Sequence, residues 1–517
     1  MANFKKTILY FIFISSNSLT SNEVPYFMID DVKINGIYSN DGLVESYLGV
    51  PYASPPVNEL RWQEPQDKIY EAKSYNAFNY PAACMQGPRI SNWYKEVAKG
   101  FGGNPDYIKF PAISEDCLYL NIWKPNNIKI KNLPVLVFIH GGSNRAGWSF
   151  EPNYEGKKLA QNGAIVITIS YRLGIFGFYS NPELDKSNFA LLDIIQSLKW
   201  IKNNISLLGG DPNNITISGE SSGATNIEHL IVSPLSKNLF NKAIHQSGGW
   251  TIAENTIDYE LPKILSNKLS QELLGHGNDR KSINKLRQID AKDILEISEN
   301  IYGSTGYYSV VDNYSIIEPI KESFKKGNFH NVDMIIGSNA NEEFMYLGDH
   351  FSLSDFYKER LNLGFYDSIE SIEEMLPETY NEKAKLDMLL SSRNYACPSF
   401  FIADSIVKKN KNKVWVYSFD RVRDGQKSKE MGAYHGAELP YIFNTHDEWL
   451  PTSAVDIEIT KIIQDHWIEF IKNGNPNTKL FNVWAEHKLY KNNVISYNNK
   501  VISKTHDSSK ICKKLIY

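Results

Sequence analysis

The feature that most constrains this chain is a series of short apolar runs that alternate with helical patterns. The runs are rich in β-branched residues and lie at 134–140, 164–174, 215–218, 242–248, 333–339 and 414–420. Apolar runs of this kind, separated by helices, are typical of strands in a parallel sheet that is covered on both faces. Residues 191–205 have helical spacing and lie between two of these runs. We therefore predict an α/β fold with a mostly parallel central sheet, helices on both faces, and helical insertions that wall a pocket.

Composition excludes several classes of protein. The 517 residues are 42% hydrophobic and carry a net charge of −4, with no long basic run, so the chain lacks the electrostatic signature of nucleic-acid binding. No uninterrupted apolar stretch long enough to span a bilayer follows the N-terminus, so the mature chain is predicted to have no membrane span. The sequence contains no HExxH motif, no P-loop and no strand-linked GxGxxG, so we predict neither a metal nor a cofactor.

The N-terminus resembles a secretory signal. Lys5 and Lys6 precede the apolar run 7–14, which is too short for a transmembrane helix and is followed by small polar residues. The alternative is the beginning of a buried helix. We predict a signal peptide over about residues 1–20, a single catalytic domain over 21–517, and a secreted protein; the sequence does not indicate the oligomeric state.

The cysteines are Cys84, Cys117, Cys397 and Cys512. An oxidising secretory route makes them candidates for two disulfides, and four cysteines allow three pairings. Pairing Cys84 with Cys117 would close a local loop and leave Cys397 and Cys512 to fix the C-terminus.

Three N-x-S/T sequences, at Asn204, Asn214 and Asn313, are glycosylation candidates if they are exposed. Asn214 is the weakest of them because it directly precedes a predicted core strand.

The hexapeptide GESSGA at residues 219–224 stands between a predicted strand and a helical pattern. The pattern G-x-S-x-G alone is a weak signal and also fits an ordinary tight turn. In a strand-to-helix turn, however, the serine hydroxyl is exposed at the edge of the sheet, and glycines at 219 and 223 remove side chains that would collide there. The N-terminus of the following helix also favours negative charge. We therefore predict that Ser221 is a catalytic nucleophile.

A serine hydroxyl needs a base to remove its proton. His435 is the candidate because GAYHGAELP places it between two glycines, in a loop beyond a late predicted strand. The alternative is an ordinary surface-loop histidine. His229 and His245 lie inside predicted elements, where packing or hydrogen bonding is the expected role.

The acid that orients the base should follow a strand between the serine and the histidine. Glu342 lies in the loop directly after the run 333–337, and its neighbour Glu343 is the competing candidate. A developing oxyanion also needs N–H donors. The glycine-rich loop 140–147, which follows another strand, and the backbone N–H of Ser222 are placed to supply them.

These motifs and several others occur together in one order along nearly the whole mature chain. They are YLGVPYASPP with RW at 47–62, SEDCLYLNIWKP at 114–125, SYRLGIFGF at 170–178, GGDPNNITISGESSG at 209–223, HQSGG and HGAELPYIF. In this the chain resembles the type-B carboxylesterase and cholinesterase family of α/β-hydrolases.

The resemblance implies the fold predicted above and a set of site residues. It implies a catalytic triad and three backbone N–H donors for the oxyanion, namely Ser221, Glu342, His435, Gly142, Ser143 and Ser222. It also implies the disulfides Cys84–Cys117 and Cys397–Cys512.

The chain departs from the family pattern at several positions. Ser143 replaces the third glycine of HGGG, a substitution shared with non-catalytic adhesion relatives, and Glu343 replaces a glycine. His276 and Lys285 lie near where the cysteines of a third, central disulfide would fall.

Cholinesterases hold choline on a tryptophan about ten residues before the signature cysteine, and here Tyr107 has that spacing. Trp93 is a second aromatic residue that could reach the site. The sequence therefore predicts a secreted serine carboxylesterase that acts on a small-molecule ester. The alternatives are a cholinesterase and a non-catalytic cholinesterase-like adhesion or binding protein.

Overall fold

The computed structural model describes residues 24–126, 131–181, 183–253, 260–275, 280–303, 306–348, 374–409, 412–446, 449–478 and 483–515. The predicted signal peptide, His276 and parts of the predicted helical insertions lie outside these ranges.

The strands, in chain order, are β1 Tyr26–Ile29, β2 Val32–Asn35, β3 Ile37–Tyr38, β4 Val44–Pro51, β5 Ser74–Asn76, β6 Ala83–Cys84, β7 Ile113–Ser114, β8 Tyr119–Pro125, β9 Leu133–Ile139, β10 Ile165–Ile169, β11 Gly210–Glu220, β12 Lys242–Gln246, β13 Asp333–Asn339, β14 Val414–Phe419, β15 Asn493–Tyr497 and β16 Val501–Thr505.

The helices are α1 Arg89–Phe101, α2 Lys157–Ala160, α3 Gly174–Phe178, α4 Phe189–Asn204, α5 Ser222–Val232, α6 Trp250–Ala253, α7 Glu260–Leu274, α8 Arg280–Leu286, α9 Ala291–Tyr302, α10 Ile320–Lys326, α11 Glu382–Ser391, α12 Cys397–Lys409, α13 Ser428–Met431, α14 Leu439–Phe443, α15 Ala454–Asn473 and α16 Ser509–Leu515. A π-helical turn, Ser392–Ala396, joins α11 to α12.

In the described part of the chain, eleven strands form the central sheet in the order β16-β15-β14-β13-β12-β11-β9-β10-β8-β4-β3. The pairings from β10 through β9, β11, β12, β13 and β14 to β15 are parallel. Every residue of β9, β10 and β14 is buried, as expected for strands covered on both faces. The α/β fold with a mostly parallel centre is therefore confirmed.

The margins of the sheet differ from its centre. β16 pairs antiparallel with β15, and at the other margin β8, β4 and β3 add antiparallel strands. The sheet is therefore mixed. The run 164–174 is also shorter as a strand than predicted, because β10 ends at Ile169 and Gly174 begins α3.

Two disulfides stabilise the fold, Cys84–Cys117 and Cys397–Cys512. They are the pairs that the resemblance implies. Cys84–Cys117 closes the loop that contains α1, and Cys397–Cys512 joins the first residue of α12 to α16. No helix in the described ranges is long and apolar enough to cross a membrane.

The three glycosylation candidates lie in different environments. Asn313 is exposed. The side-chain amide of Asn204 donates to Trp200 O at 2.8 Å, and that of Asn214, within β11, donates to Lys472 O at 3.2 Å. Glycosylation itself stays a prediction, and Asn313 is the most accessible candidate.

The parallel strands place three chain segments at one edge of the sheet. β11, β13 and β14 run in the same direction, so the turns that follow them open on the same side. These turns lead to Ser221 and Glu342, and the segment after β14 leads to His435. The fold therefore brings the three predicted triad residues to one edge.

Candidate active site

Ser221 lies at the corner between β11 and α5. Its backbone has φ 56° and ψ −126°, a conformation that non-glycine residues rarely adopt. Its N–H donates to Gln246 O at 2.9 Å, and its carbonyl accepts from Thr225 N at 3.0 Å, so the corner is held on both sides. The predicted strand-to-helix turn is therefore present, and α5 begins at the next residue.

The two glycines of the motif are required by close packing. A Cβ at Gly223 would lie 2.1 Å from Ile139 O, and one at Gly219 would lie 2.7 Å from Gly223 O. Real Cβ atoms do not approach a carbonyl oxygen so closely, so a side chain at either position would force the corner away from β9. The G-x-S-x-G spacing therefore reflects the contact between this corner and the neighbouring strand.

The loop after β9 lies beside Ser221 and carries two of the three predicted oxyanion donors. Gly142 has φ +105°, and Ser143 has φ +60°. A Cβ at Gly142 would meet Ala146 O at 1.9 Å, so only glycine fits there. The next residue, Ser143, is exposed, so there is room for its side chain.

Asn144 holds this loop against α5. Its N–H donates to Ser222 Oγ at 3.0 Å, and its side-chain oxygen accepts from Asn226 at 3.0 Å. Its amide group also donates to Tyr307 O at 3.1 Å. Gly142, Ser143 and Ser222 thus line one cavity together with Ser221.

His435 and Glu342 form a close pair. His435 Nδ1 lies 2.6 Å from Glu342 Oε2, and the Glu342 side chain is fully buried. The other carboxylate oxygen of Glu342 accepts from Asn339 N at 2.7 Å. Glu343 instead contacts Tyr395 OH at 3.1 Å and lies in the cavity wall. Of the two carboxylates considered from the sequence, Glu342 is the one beside the histidine.

The far nitrogen of His435 has a second acidic neighbour. Nε2 lies 3.2 Å from Oε1 of Glu220, the residue before Ser221. Burial lowers the pKa of His435, but the negative charges of Glu220 and Glu342 outweigh burial and leave that pKa raised. Burial raises the pKa of Glu220. The two acidic neighbours therefore stabilise positive charge on the His435 imidazole.

Ser221 and His435 line one cavity of about 340 Å³. Aromatic side chains form part of its wall, namely Trp93, Tyr94, Tyr154, Trp250, Tyr307, Tyr308, Tyr346 and Tyr395. Apolar walls with a few convergent polar groups are typical of sites for small organic ligands. Within the described ranges, no group of three or more His, Cys, Asp or Glu side chains could hold a metal ion.

A family model described as the carboxylesterase family matches residues 25–513. The chain belongs to the carboxylesterase family. Its activity class is carboxylic ester hydrolysis.

Individual relatives agree with this assignment. The chain is 30% identical to para-nitrobenzyl esterase of Bacillus subtilis (strain 168), over 92% of this chain and 96% of that protein. It is 29% identical to fumonisin B1 esterase of Sphingopyxis macrogoltabida, over 86% of this chain and 82% of that protein. A solved PNB esterase structure superposes with a TM-score of 0.80 at 26% identity, covering 95% of this chain and 99% of the other.

Trp93 and Tyr107 are the two aromatic residues of this carboxylesterase that the sequence offered for contact with substrate, and only one of them reaches the cavity. Trp93, on α1, lines it, and its Nε1 donates to Tyr346 OH at 2.9 Å. Tyr107 has the spacing of the choline-binding tryptophan, but it is 44% exposed at the surface and is not part of the cavity wall.

The histidines inside elements are packed and hydrogen-bonded, as predicted. His229 Nδ1 lies 2.7 Å from Thr225 O, and His245 Nε2 lies 2.8 Å from Glu228 Oε1. Both histidines are buried.

A buried polar network that was not predicted from the sequence joins β12 and β13 to the segment that carries His435. Glu438 accepts from Gln246 Nε2 at 3.0 Å and from Asn339 Nδ2 at 2.7 Å. Asn339 Nδ2 also donates to Tyr434 O at 2.7 Å, so β13 is joined to the loop that carries His435. Glu438 lies in the motif HGAELP and Glu220 in the motif GESSGA, so both carboxylates belong to motifs quoted from the sequence. The sequence does not show which distant segments these carboxylates contact.

Proposed function

We propose that this chain is a secreted serine carboxylesterase with Ser221 as nucleophile, His435 as general base and Glu342 as the acid that orients it. One observation carries the proposal. His435, hydrogen-bonded through Nδ1 to the buried Glu342, lines the same cavity as the half-buried Ser221. A nucleophile, a base and a third group that orients the base are the requirements for activating a serine hydroxyl.

The proposed reaction uses the residues of this cavity. Ser221 Oγ attacks the ester carbonyl carbon, and its proton passes to His435 Nε2 because Nδ1–H is committed to Glu342. The carbonyl oxygen becomes an oxyanion, which the backbone N–H groups of Gly142, Ser143 and Ser222 are proposed to stabilise. Collapse of this intermediate breaks the bond to the alcohol, which takes the proton from the imidazolium.

The second half uses the same groups on water. His435 removes a proton from a water molecule, which attacks the acyl carbon bound to Ser221. Breaking the Oγ–acyl bond returns the proton to Ser221 and releases the carboxylic acid. Glu220 and Glu342 flank the imidazole on both sides, so the positive charge that forms twice in each cycle is stabilised by nearby carboxyl groups.

The test is covalent labelling with a fluorophosphonate probe, followed by peptide mapping. We expect one probe per chain, on Ser221, and hydrolysis of p-nitrophenyl esters that the probe abolishes. Absence of both labelling and turnover would instead support the non-catalytic binding protein considered from the sequence.

A cholinesterase is the second candidate, because Trp93 presents an aromatic ring in the cavity near Glu220. The ratio of acetylcholine to phenyl acetate turnover separates the two. A carboxylesterase hydrolyses the neutral aryl ester faster, whereas a cholinesterase prefers the cationic one.

Secretion rests on the lysine-led apolar segment before residue 20 and on the two disulfides, which persist in oxidising compartments. Expression of the full chain in a secreting cell, with N-terminal sequencing of the product in the medium, tests this part. A product that stays inside the cell with residues 1–20 intact would contradict it.

A further inference from the structure

One side chain joins the two loops that carry Glu342 and His435. Asn341 N donates to Ala433 O at 3.1 Å, and Ala433 N donates back to the side-chain Oδ1 of Asn341 at 3.0 Å. Asn341 directly precedes Glu342, and Ala433 lies two residues before His435. The distance between the acid and the base therefore depends on how Asn341 is oriented.

The orientation of Asn341 is in turn fixed by Asp387 of α11. Asn341 Nδ2 donates to Asp387 Oδ2 at 2.9 Å, and Glu343 N donates to Asp387 Oδ1 at 3.1 Å. Ser391 Oγ donates to the same Oδ1 at 3.0 Å. Asp387 is 1% exposed, so these contacts replace the water that a carboxylate would otherwise bind.

We propose that Asp387 is a positioning residue for ester hydrolysis: through Asn341 and the Glu343 backbone it sets the alignment of Glu342 with His435. The inference rests on the proposed function, because it concerns the same triad. Asp387 does not touch the substrate cavity, so it acts on the reaction only through these two loops.

The direction of the hydrogen bonds explains why residue 387 is a carboxylate. Two N–H groups, from Asn341 and Glu343, point at its two different oxygens. An asparagine at 387 would turn one oxygen into an N–H group and oppose one of these donors. Asn341 could relieve the clash only by flipping its amide, but it would then oppose the N–H of Ala433. A buried clash of donors costs more than a lost hydrogen bond.

A second, polar cavity of about 290 Å³ is lined by Asn339 and Asn341, from the segment that leads to Glu342, and by Asp387. The titratable or charged groups that line this cavity with Asp387 are Tyr380, Asp420, Lys504, His506 and Asp507, and Glu343 is the acidic residue whose charge acts on Asp387. Burial raises the pKa of Asp387 to about 7, although the donors from Asn341, Ser391 and Glu343 act in the opposite direction. As pH falls through about 7, the carboxylate takes up a proton and accepts fewer hydrogen bonds, so alignment weakens on the acid side.

The first test is D387N. Misalignment of reacting groups by about 1 Å costs up to about 100-fold in rate. We expect kcat to fall about 10-fold or more, with KM changed less than about twofold, because the substrate cavity is untouched. The acid limb of the pH–rate profile should also lose the part that titrates near pH 7, whereas a purely structural role would leave the shape of the profile unchanged.

The second test is rescue by exchange. In N341D/D387N, the carboxylate at 341 accepts from Ala433 N and from the new amide at 387, whose oxygen accepts from Glu343 N. Every hydrogen bond of the network is then restored, and the negative charge lies on residue 341 instead of residue 387. We expect the double variant to recover kcat to within about threefold of wild type, while N341D alone, which sets two carboxylates face to face, stays impaired.

D404N is the matched control. Asp404 is also a buried carboxylate, but it accepts from His487 Nε2 at 2.7 Å and from Tyr490 N at 3.2 Å, away from the triad loops. We expect D404N to lower thermal stability while leaving the shape of the pH profile unchanged.

The outcomes separate this inference from the proposed function. Wild-type kcat and pH profile in D387N, or loss in D387N without any recovery in the double variant, would overturn the role of Asp387 alone. A wild-type protein that neither hydrolyses esters nor takes up the fluorophosphonate would overturn the proposed function and this inference with it.

Discussion

The two sides of the candidate active site are built in different ways. The nucleophile side is one continuous corner, residues 219–224, whose shape is set by backbone angles and by two glycines packed against β9. The acid–histidine side joins segments 93 residues apart, and it is held by side chains such as Asn339, Asn341 and Glu438. The first side depends on local geometry, and the second on a network of buried hydrogen bonds.

The largest effect is expected at the nucleophile, where no other side chain can substitute. Ser221→Ala should abolish fluorophosphonate labelling and lower kcat by at least about 10⁴-fold, since losing a catalytic serine leaves only the oxyanion donors and binding. Folding should be nearly unaffected. Pre-steady-state kinetics measure the loss of kcat, and intact-mass analysis measures the loss of labelling. Retained labelling would show that the nucleophile is another residue.

The next effect concerns the acid. Glu342→Gln should lower kcat by about 10³- to 10⁴-fold, because a neutral amide neither holds the imidazole in the right tautomer nor stabilises its charge. Glu343→Gln is the matched control and should cost less than about threefold, because Glu343 contacts Tyr395 and not His435. Steady-state kinetics of the two variants decide the assignment, and the reverse ranking would show that the wrong carboxylate was chosen.

A substitution at Glu220 tests whether the nucleophile corner influences the histidine. It belongs to the nucleophile corner in sequence, yet it lies 3.2 Å from the histidine. The pKa of His435 is raised by this neighbour, and neutral imidazole is the form that acts as base. Glu220→Gln should therefore move the acid limb of kcat/KM to lower pH, by on the order of one pH unit. A limb that stays in place would mean that Glu220 exerts no charge effect on the base.

The smallest effect is expected at Ser143. Its φ of +60° is unfavourable for a residue with a Cβ, and glycine relieves that strain while losing more chain entropy on folding. Ser143→Gly should change kcat less than about threefold and raise the free energy of unfolding by less than about 1 kcal/mol, measured by urea denaturation. A large loss of activity would show that the serine side chain takes part in the reaction.

The contrast between the two sides also explains what the sequence could predict. Strand β13 has the predicted bounds, and β12, β14 and α4 differ by one or two residues, because apolar runs and helical periodicity are local signals. The antiparallel margin formed by β8, β4 and β3 was not predicted, since pairing between distant strands leaves no local pattern.

The same limit applies to the candidate site. Ser221 was predicted from a six-residue motif, and His435 and Glu342 from loops after strands. The partners Glu220, Glu438 and Asp387 were not assigned, because each gains its role from a residue that is distant in sequence or in another loop. Such contacts become visible only when the chain is folded.

The bridge between Cys397 and Cys512 has a consequence for how the surroundings act on this enzyme. Cys397 directly follows the π-helical turn that carries Tyr395, whose ring lies 5.2 Å from that of His435. Both cysteines are fully buried, so a thiol reagent reaches the bridge only when the last helix loosens, and reduction would then release that helix from the segment that forms this part of the wall. Reduction would thereby slow turnover without any reagent entering the cavity, and the esterase would work best where reductants are scarce.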